Sequence, residues 1–359
     1  MHTQASWPPG REAGQVERAR QALGYRVPGF LGVTTDRLQN ACSHPNLIES
    51  CGRYTRRVRF AFFGLPLAAL LLEQDGHHLD PVVLSPVPAV GHRRARRRFG
   101  EHLIDAAELS PGAVERAVDE RLGRPSAILS WFWTRRLPER WLSASPRGYG
   151  VHPSLLPRHR GPDPCFWALD LGDSETGVTL HRLDAAYDTG AIVAQERLSI
   201  PMLDRGVGAP TRARALTAWR LARALDRPSL RLLREAARQL ARGDALPERP
   251  QNEDEATWAP IPSGELLKCP WASPTARVLR RIHALSPEPG VPLVIHEQHF
   301  ELLEACEDGS LPTALFPGEA HLSDQVRIRT GDGGIRALVA RLPDGHEISG
   351  EELAALLAS

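Results

Sequence analysis

Lysine is almost absent from this chain, and asparagine is rare. Lys268 is the only lysine within a combined lysine and arginine count of 44, and asparagine occurs only at positions 40, 46 and 252. This pattern indicates a compositional bias toward arginine. Arginine-rich stretches therefore carry less weight as functional signals here than they would in a chain that uses both basic residues.

Long apolar runs are also lacking. No run approaches the roughly 20 residues that a membrane-spanning helix needs, and the start of the chain has no apolar core typical of a secretory signal. We therefore expect a cytoplasmic protein without membrane contact. The formal net charge of +1 gives no overall field that would attract nucleic acid or a membrane.

Cysteine is scarce, with five residues at scattered positions: Cys42, Cys51, Cys165, Cys269 and Cys306. Their odd number and irregular spacing match neither a disulfide framework nor a common zinc pattern. We expect reduced thiols and no metal site.

The 359 residues suffice for two domains with ordinary cores. Residues 1–56 have weak periodicity and are interpreted as an N-terminal extension, either an added arm or a partly disordered tail. From residue 57 onward, apolar strands alternate with amphipathic helices, which favours a parallel, doubly wound α/β sheet. The predicted strands are Val58–Phe63, Pro81–Leu84 and Ala127–Trp133, and the predicted helices are Leu67–Glu73 and Ala113–Leu122.

The second half of the chain has a different pattern. A long helix is predicted over Leu216–Gly243, and residues 249–260 form a polar, acidic and proline-containing linker. We therefore assign the catalytic domain to residues 57–248. Short strands at regular spacing between residues 261 and 359 indicate a smaller β-barrel-like domain.

The residues best suited to chemistry lie between Val151 and Val193. His152 begins the sequence HPSLLP, which contains two prolines, and Asp188 stands in an Asp-Thr-Gly turn 36 positions later. A carboxylate beside an imidazole favours the protonated, hydrogen-donating form of the ring. Such a pair can stabilise an oxyanion and take a proton from an amine.

Several short motifs, most of them in this stretch, together resemble the 10-formyltetrahydrofolate-dependent formyltransferase family. They are FFGLP (62–66), HPSLLP (152–157), Arg160-Gly161, Gly172-Asp173, TGVT (176–179) and Asp188-Thr189-Gly190. Residues 278–290 resemble the start of the C-terminal domain of family members that formylate methionyl-tRNA. The resemblance implies a Rossmann-like formyltransferase domain, a small barrel domain behind it, and formyl transfer from 10-formyltetrahydrofolate to a primary amine.

The resemblance also implies roles for individual residues. His152 and Asp188 match two of the three catalytic residues of the family, and Ser154, Leu155, Leu156 and Pro157 match the loop that lines the folate site. The third catalytic residue is an asparagine that binds the formyl oxygen, and here its position is Gly150. This departure leaves open a specialised enzyme for a small amine, such as an amino sugar or a biosynthetic intermediate, or a catalytically impaired folate-binding paralogue.

Two charged regions bear on the identity of the acceptor. The basic run consists of Arg93, Arg94, Arg96, Arg97 and Arg98. Its position resembles the loop that methionyl-tRNA formyltransferases insert at the acceptor stem, and such a run suits phosphate contacts. A solvated, composition-biased run explains it equally well. Residues 261–359 hold eight basic and fourteen acidic residues, a balance that disfavours a phosphate backbone there. The sequence therefore leaves two acceptors open, initiator methionyl-tRNA and a small molecule.

Overall fold

A computed structural model describes residues 58–87, 89–200, 215–312 and 314–358. The predicted extension over residues 1–56 lies outside these ranges, as do Cys42 and Cys51. Cys165 is buried, and Cys269 and Cys306 are half-buried free thiols. No helix in the described ranges is both long enough and apolar enough to cross a membrane.

The first part of the chain alternates strands and helices. Its strands are β1 (Arg59–Gly64), β2 (His78–Leu84), β3 (Leu103–Asp105), β4 (Ala127–Trp131), β5 (Gly148–His152), β6 (Glu175–Arg182) and β7 (Ile192–Ser199). Its helices are α1 (Pro66–Gln74), α2 (His92–Phe99), α3 (Pro111–Arg121), α4 (Glu139–Leu142), α5 (Pro164–Leu171) and α6 (Ala218–Arg242).

These strands form one sheet in the order β3-β2-β1-β4-β5-β6-β7. Strand β1 pairs in parallel with both β2 and β4, and β2 pairs in parallel with β3, whereas β7 runs antiparallel to β6. This order is typical of a doubly wound sheet. The predicted α/β fold class is therefore confirmed.

Strand β1 is buried on both faces, and its sequence accordingly does not alternate between apolar and polar residues. Phe60, Phe62 and Phe63 are fully inaccessible to solvent, which explains the continuous apolar run of the sequence. Gly64 ends the strand against the backbone of Trp131, where a Cβ atom would lie 1.9 Å from the carbonyl oxygen. A glycine is thus required at this close approach.

The arginine run lies in helix α2, although its position in the sequence suggested an inserted loop. Ala95 and Phe99, four residues apart, are the buried residues of this helix, while Arg93, Arg94, Arg96, Arg97 and Arg98 are exposed. The two apolar side chains therefore define a narrow buried face, and the arginines occupy the rest of the surface.

The C-terminal part combines two helices with a six-stranded antiparallel sheet. Its elements are α7 (Thr275–Ala284), β8 (Val291–Ile295), β9 (Gln298–Glu307), β10 (Ala320–Leu322), β11 (Val326–Arg329), β12 (Gly334–Arg341), β13 (Glu347–Ser349) and α8 (Gly350–Ala358). Strand β12 pairs with β9 along one side, and on the other side first with β11 and then with β13. The prediction of a smaller β domain is confirmed.

The described residues form two compact units, residues 58–149 with 236–245 and residues 150–235 with 246–358. In the second unit, Asp170 of α5 forms ion pairs with Arg277 and Arg281 of α7 at 2.5 and 2.7 Å. The segment interpreted as a linker is hydrogen-bonded in this unit, since the amide of Arg160 donates to the carbonyl of Thr257 at 2.9 Å. The domain boundary at residue 248 stays a prediction.

Candidate active site

Strand β5 carries two of the predicted site residues on one face. Gly150 and His152 are two positions apart, so they point to the same side of the strand. Both residues are buried. Gly150 has no side chain with which to donate a hydrogen bond, so the side-chain chemistry at this end of β5 comes from His152.

The predicted folate loop, Ser154–Pro157, follows directly and is tightly hydrogen-bonded. The hydroxyl of Thr179 donates to the carbonyl of Ser154 at 2.6 Å and accepts from the amide of Leu156 at 3.0 Å. Gln195 donates to the carbonyl of Leu156 at 2.9 Å. Ser154 is fully buried, and its own hydroxyl donates to the carbonyl of Arg158 at 2.6 Å. Its side chain therefore shapes the loop.

Leu155 and Leu156 differ in accessibility within this loop. Leu156 is buried, whereas Leu155 is half-buried and packs against Gly177 of β6. A Cβ atom at Gly177 would lie 2.6 Å from Leu155 Cδ2 and 2.2 Å from the carbonyl oxygen of Glu196. The glycine of the TGVT motif therefore allows the loop and β7 to approach β6.

His152 lies between two oxygen acceptors. Its Nε2 is 2.8 Å from the carbonyl oxygen of His159, and its Nδ1 is 3.5 Å from Asp188 Oδ2. A carbonyl can only accept, so Nε2 carries a proton. When Nδ1 also carries a proton, the ring is an imidazolium ion that faces the Asp188 carboxylate. The predicted pair is thus brought together by the fold.

Asp188 is held in position by backbone and side-chain hydrogen bonds. It has a φ of 57°, in the left-handed region that aspartate tolerates better than most residues. The amide of Gly161 donates to its Oδ2 at 2.8 Å, and Gln251 Nε2 donates to its carbonyl at 2.7 Å. Its side chain is 18% exposed, compared with 7% for His152. The carboxylate is therefore the more accessible member of the pair.

His181 is a third side chain at this site, and sequence reasoning missed it. Its Nε2 lies 3.6 Å from Asp188 Oδ1, and its Nδ1 donates to the carbonyl of Arg182 at 2.8 Å. Burial lowers the pKa of His181, and the nearby Asp188 carboxylate only partly offsets this effect. At neutral pH, His181 is therefore an uncharged ring next to the carboxylate. Its position between the TGVT motif and the Asp-Thr-Gly turn was the available signal.

Two of the five arginines in the predicted run form ion pairs with carboxylates of this chain. Arg96 binds Asp105 at 2.8 Å and Glu108 at 2.7 Å, and Arg98 binds Glu73. The other three, Arg93, Arg94 and Arg97, make no ion pair within the part of the chain that the structure describes. These three exposed guanidinium groups are the ones available to an external anion.

Comparison with known proteins identifies the family. Residues 71–224 match the formyl transferase family, and residues 265–357 match its C-terminal domain. A methionyl-tRNA formyltransferase from Anaeromyxobacter dehalogenans (strain 2CP-C) is 31% identical over 297 residues, which cover 79% of this chain and 90% of that protein. The same enzyme from Ralstonia nicotianae is 29% identical over 306 residues, which cover 80% and 87% of the two chains.

Two solved structures share the fold at lower identity. HypX from Aquifex aeolicus, in complex with tetrahydrofolic acid, has a TM-score of 0.60 and 19% identity over 84% of this chain. The match covers 48% of HypX, about half of its length. An N-formyltransferase from Helicobacter canadensis, in complex with folinic acid and dTDP-3-aminofucose, has a TM-score of 0.58 and 17% identity over 78% of this chain and 98% of that chain.

The chain therefore belongs to the formyl transferase family. It is a formyl-transferring enzyme, and the formyl donor of the family is 10-formyltetrahydrofolate. The predicted catalytic pair consists of an imidazole and a carboxylate 3.5 Å apart. Side chains of these two kinds can donate to an oxyanion and accept a proton from an amine.

Proposed function

We propose that the acceptor is the amino group of methionyl-tRNA. The observation that carries this proposal is the extent of the match to methionyl-tRNA formyltransferases, which spans 79% of this chain and 90% of one such enzyme. Both parts of the chain are included, because the family match continues over residues 265–357. The enzyme would then work in the cytoplasm, where translation supplies aminoacyl-tRNA.

In this proposal His152 and Asp188 divide the chemistry. The amine nitrogen forms a bond to the formyl carbon, and the positive charge of His152 stabilises the oxygen that becomes negative. Asp188 accepts the proton that the amine loses, which suits a carboxylate that is more accessible than the His152 ring. That proton then passes to the departing tetrahydrofolate nitrogen as its bond to carbon breaks, so that charge and protons balance.

Gly150 would leave the oxyanion without the side-chain donor that an asparagine at position 150 supplies. The loss of one such donor typically lowers the rate by about 10²–10³-fold. We therefore expect a slower chemical step than an asparagine at this position would support. The charge of the His152 ring then provides the electrostatic stabilisation at this strand end.

Ser154, Leu155, Leu156 and Pro157 would form one wall of the donor site. The hydrogen bonds from Thr179 and Gln195 support this role, because they hold the loop in one conformation before a ligand binds. Preorganisation of this kind reduces the entropy that binding would otherwise lose. Leu155 contributes an accessible apolar surface to a flat heterocycle.

Arg93, Arg94 and Arg97 would contact the phosphate backbone of the tRNA. Their exposure on α2 and their lack of ion pairs within the described residues support this role. Each neutralised phosphate releases counterions, so the contacts should make binding sensitive to salt. Arg96 and Arg98 already bind carboxylates and are less suited to the task.

A small amine is the second candidate acceptor. The acidic balance of residues 261–359, with eight basic and fourteen acidic residues, favours it because a polyanion would be repelled there. A mass-spectrometric assay with 10-formyltetrahydrofolate separates the two candidates. The purified enzyme is offered initiator methionyl-tRNA and, in parallel, a set of amino sugars and other primary amines.

Our proposal predicts formylated methionyl-tRNA in this assay. If only a small amine were formylated, that amine and not methionyl-tRNA would be the acceptor. Release of formate without an acceptor would indicate hydrolysis of the formyl donor. Two variants accompany the wild type: His152→Asn, which should lose activity, and His299→Asn, which changes an exposed histidine of β9 and should not.

A further inference from the structure

The segment from His159 to Gly161 contacts both members of the candidate catalytic pair through its backbone. The carbonyl of His159 accepts from His152 Nε2 at 2.8 Å, and the amide of Gly161 donates to Asp188 Oδ2 at 2.8 Å. These two backbone groups lie two residues apart. The conformation of the segment therefore sets the relative position of His152 and Asp188.

His159 has an unfavourable backbone conformation in this segment. Its φ is 57°, in the left-handed region that non-glycine residues rarely adopt. Two further contacts hold it there: its amide donates to the Thr257 hydroxyl at 2.8 Å, and its ring Nε2 lies 2.7 Å from Asp173 Oδ2. The ring is buried, so the contact with Asp173 is shielded from water.

The position of Asp173, which binds this ring, is fixed by its own contacts. It follows the end of α5, and its amide donates to the carbonyl of Ala168 at 2.9 Å. Burial alone would raise the pKa of Asp173, but the hydrogen bond and charge of His159, together with the charge of Arg158, bring the pKa below its ordinary value. The carboxylate is therefore ionised near neutral pH. Its second oxygen binds Arg158, whose side chain is 50% exposed.

We infer that His159 and Asp173 are positioning residues for formyl transfer. The contact between the His159 ring and the Asp173 carboxylate holds the His159 carbonyl against His152 Nε2, which fixes the proton on that nitrogen and leaves Nδ1 to face Asp188. Outer contacts of this type commonly select the tautomer and orientation of a functional histidine. The inference rests on the proposed role of His152, and neither Asp173 nor His159 needs to touch a substrate.

The first test is kinetic and uses two partners of one carboxylate. We expect Asp173→Ala to lower kcat about tenfold, within the range typical of outer contacts, with the KM values for donor and acceptor changed less than about twofold. Arg158→Gln removes the exposed partner of the same carboxylate and should leave kcat near the wild-type value. Equal losses in both variants would overturn the inference.

The second test reads the tautomer of His152 directly by ¹⁵N NMR of histidine-labelled protein. The His152 signals are identified by their disappearance in His152→Asn. The spectra are recorded at a pH high enough for the ring to be neutral. Under this condition the wild-type ring should keep its proton on Nε2, whereas in Asp173→Ala both tautomers should be populated. Unchanged ¹⁵N shifts in a folded Asp173→Ala variant would show that Asp173 acts only on stability.

Asp173→Asn is the second variant in case the alanine substitution prevents folding. It keeps the shape of the side chain and removes its charge, so the same change in tautomer is expected to a smaller extent. An NMR spectrum identical to that of the wild type would contradict the inference. Because the NMR test needs no substrate, its outcome is independent of whether the enzyme formylates methionyl-tRNA.

Discussion

Asp188 receives contacts from three separate parts of the chain. The amide of Gly161 and the ring of His152 approach Oδ2, and the ring of His181 approaches Oδ1. One of these two rings, His181, is neutral because burial lowers its pKa. Asp188 can therefore exchange a proton with His152 while His181 stays neutral. This arrangement avoids burying a second positive charge beside the carboxylate.

Gly150 provides a prediction at the residue scale. Gly150→Asn places an amide on the face of β5 that carries His152, where it can donate to the developing oxyanion. We expect kcat to rise by about tenfold or more, since one oxyanion donor is typically worth roughly 10²–10³-fold. The measurement is the single-turnover rate of formyl transfer.

Gly148→Asn is the matched control, because residue 148 lies on the same face of β5 but further from its carboxyl end. It should leave the rate unchanged. If Gly150→Asn gave no gain and the control behaved as expected, the site would stabilise the oxyanion in another way, and the proposed role of Gly150 would be wrong.

The individual site residues were only partly predictable from the sequence. His152 and Asp188 were found through the family motifs, and the structure brings them together at 3.5 Å. The contacts of His159 and Gly161 were not found, because both act through backbone groups whose positions depend on positive φ values. His181 was not found either, because its approach to Asp188 depends on the turn between β6 and β7.

At the scale of elements, helix α7 buries an ionisable ring against β9. His283 Nε2 lies 3.0 Å from the carbonyl oxygen of Ala305, and the nearby charged groups are Glu304 and Arg220, which pair with each other. Burial lowers the pKa of His283 from 6.5 to about 4, despite the opposing effects of the Ala305 carbonyl and of Glu304. The ring is therefore neutral in the folded protein at neutral pH.

This environment predicts a specific dependence of stability on pH. The folded pKa of His283 is below the unfolded value, so the unfolded chain binds more protons between pH 6.5 and about 4. The free energy of unfolding should thus fall as the pH is lowered through this window, with His283 contributing up to about 3 kcal/mol. Chemical denaturation at several pH values measures the effect.

In His283→Gln, an amide that can still donate to the Ala305 carbonyl replaces the ring, and the dependence in this window should become weaker. His299→Gln changes an exposed histidine of β9 and should keep the wild-type dependence. If the free energy of unfolding had the same dependence on pH in the wild type and in His283→Gln, the assignment of the pH effect to His283 would be contradicted.

Elements with strong periodicity were predictable, and short or edge elements were not. The sequence indicated β1, α3 and α6 within a few residues, because apolar runs and helical spacing are local properties. Strand β7 was missed since it lies at the sheet edge and alternates little, with half-buried residues in its middle. Helix α2 was missed because its two buried residues are outnumbered by arginines.

At the scale of the whole molecule, positive charge on the surface should determine the affinity for tRNA and its dependence on salt. Replacing Arg93, Arg94 and Arg97 with glutamine should weaken tRNA binding and lower the slope of log K against log salt by up to about one per phosphate contact. Fluorescence titration at several salt concentrations measures both quantities. A triple variant of Arg116, Arg121 and Arg124, exposed arginines in and after α3, is the matched control. Equal effects of the two triple variants would indicate a general loss of positive charge.

The central claim is that this enzyme moves a formyl group from 10-formyltetrahydrofolate to methionyl-tRNA through His152 and Asp188. It is tested most directly by the single-turnover rate of formyl-methionyl-tRNA formation for wild type, Asp188→Asn and Asp184→Asn. Asp184 is an exposed carboxylate in the same turn. We predict transfer by the wild type and by Asp184→Asn, and a loss of about 10²–10⁴-fold in Asp188→Asn. Wild-type activity in Asp188→Asn, or no formylated tRNA from the wild type, would contradict the account.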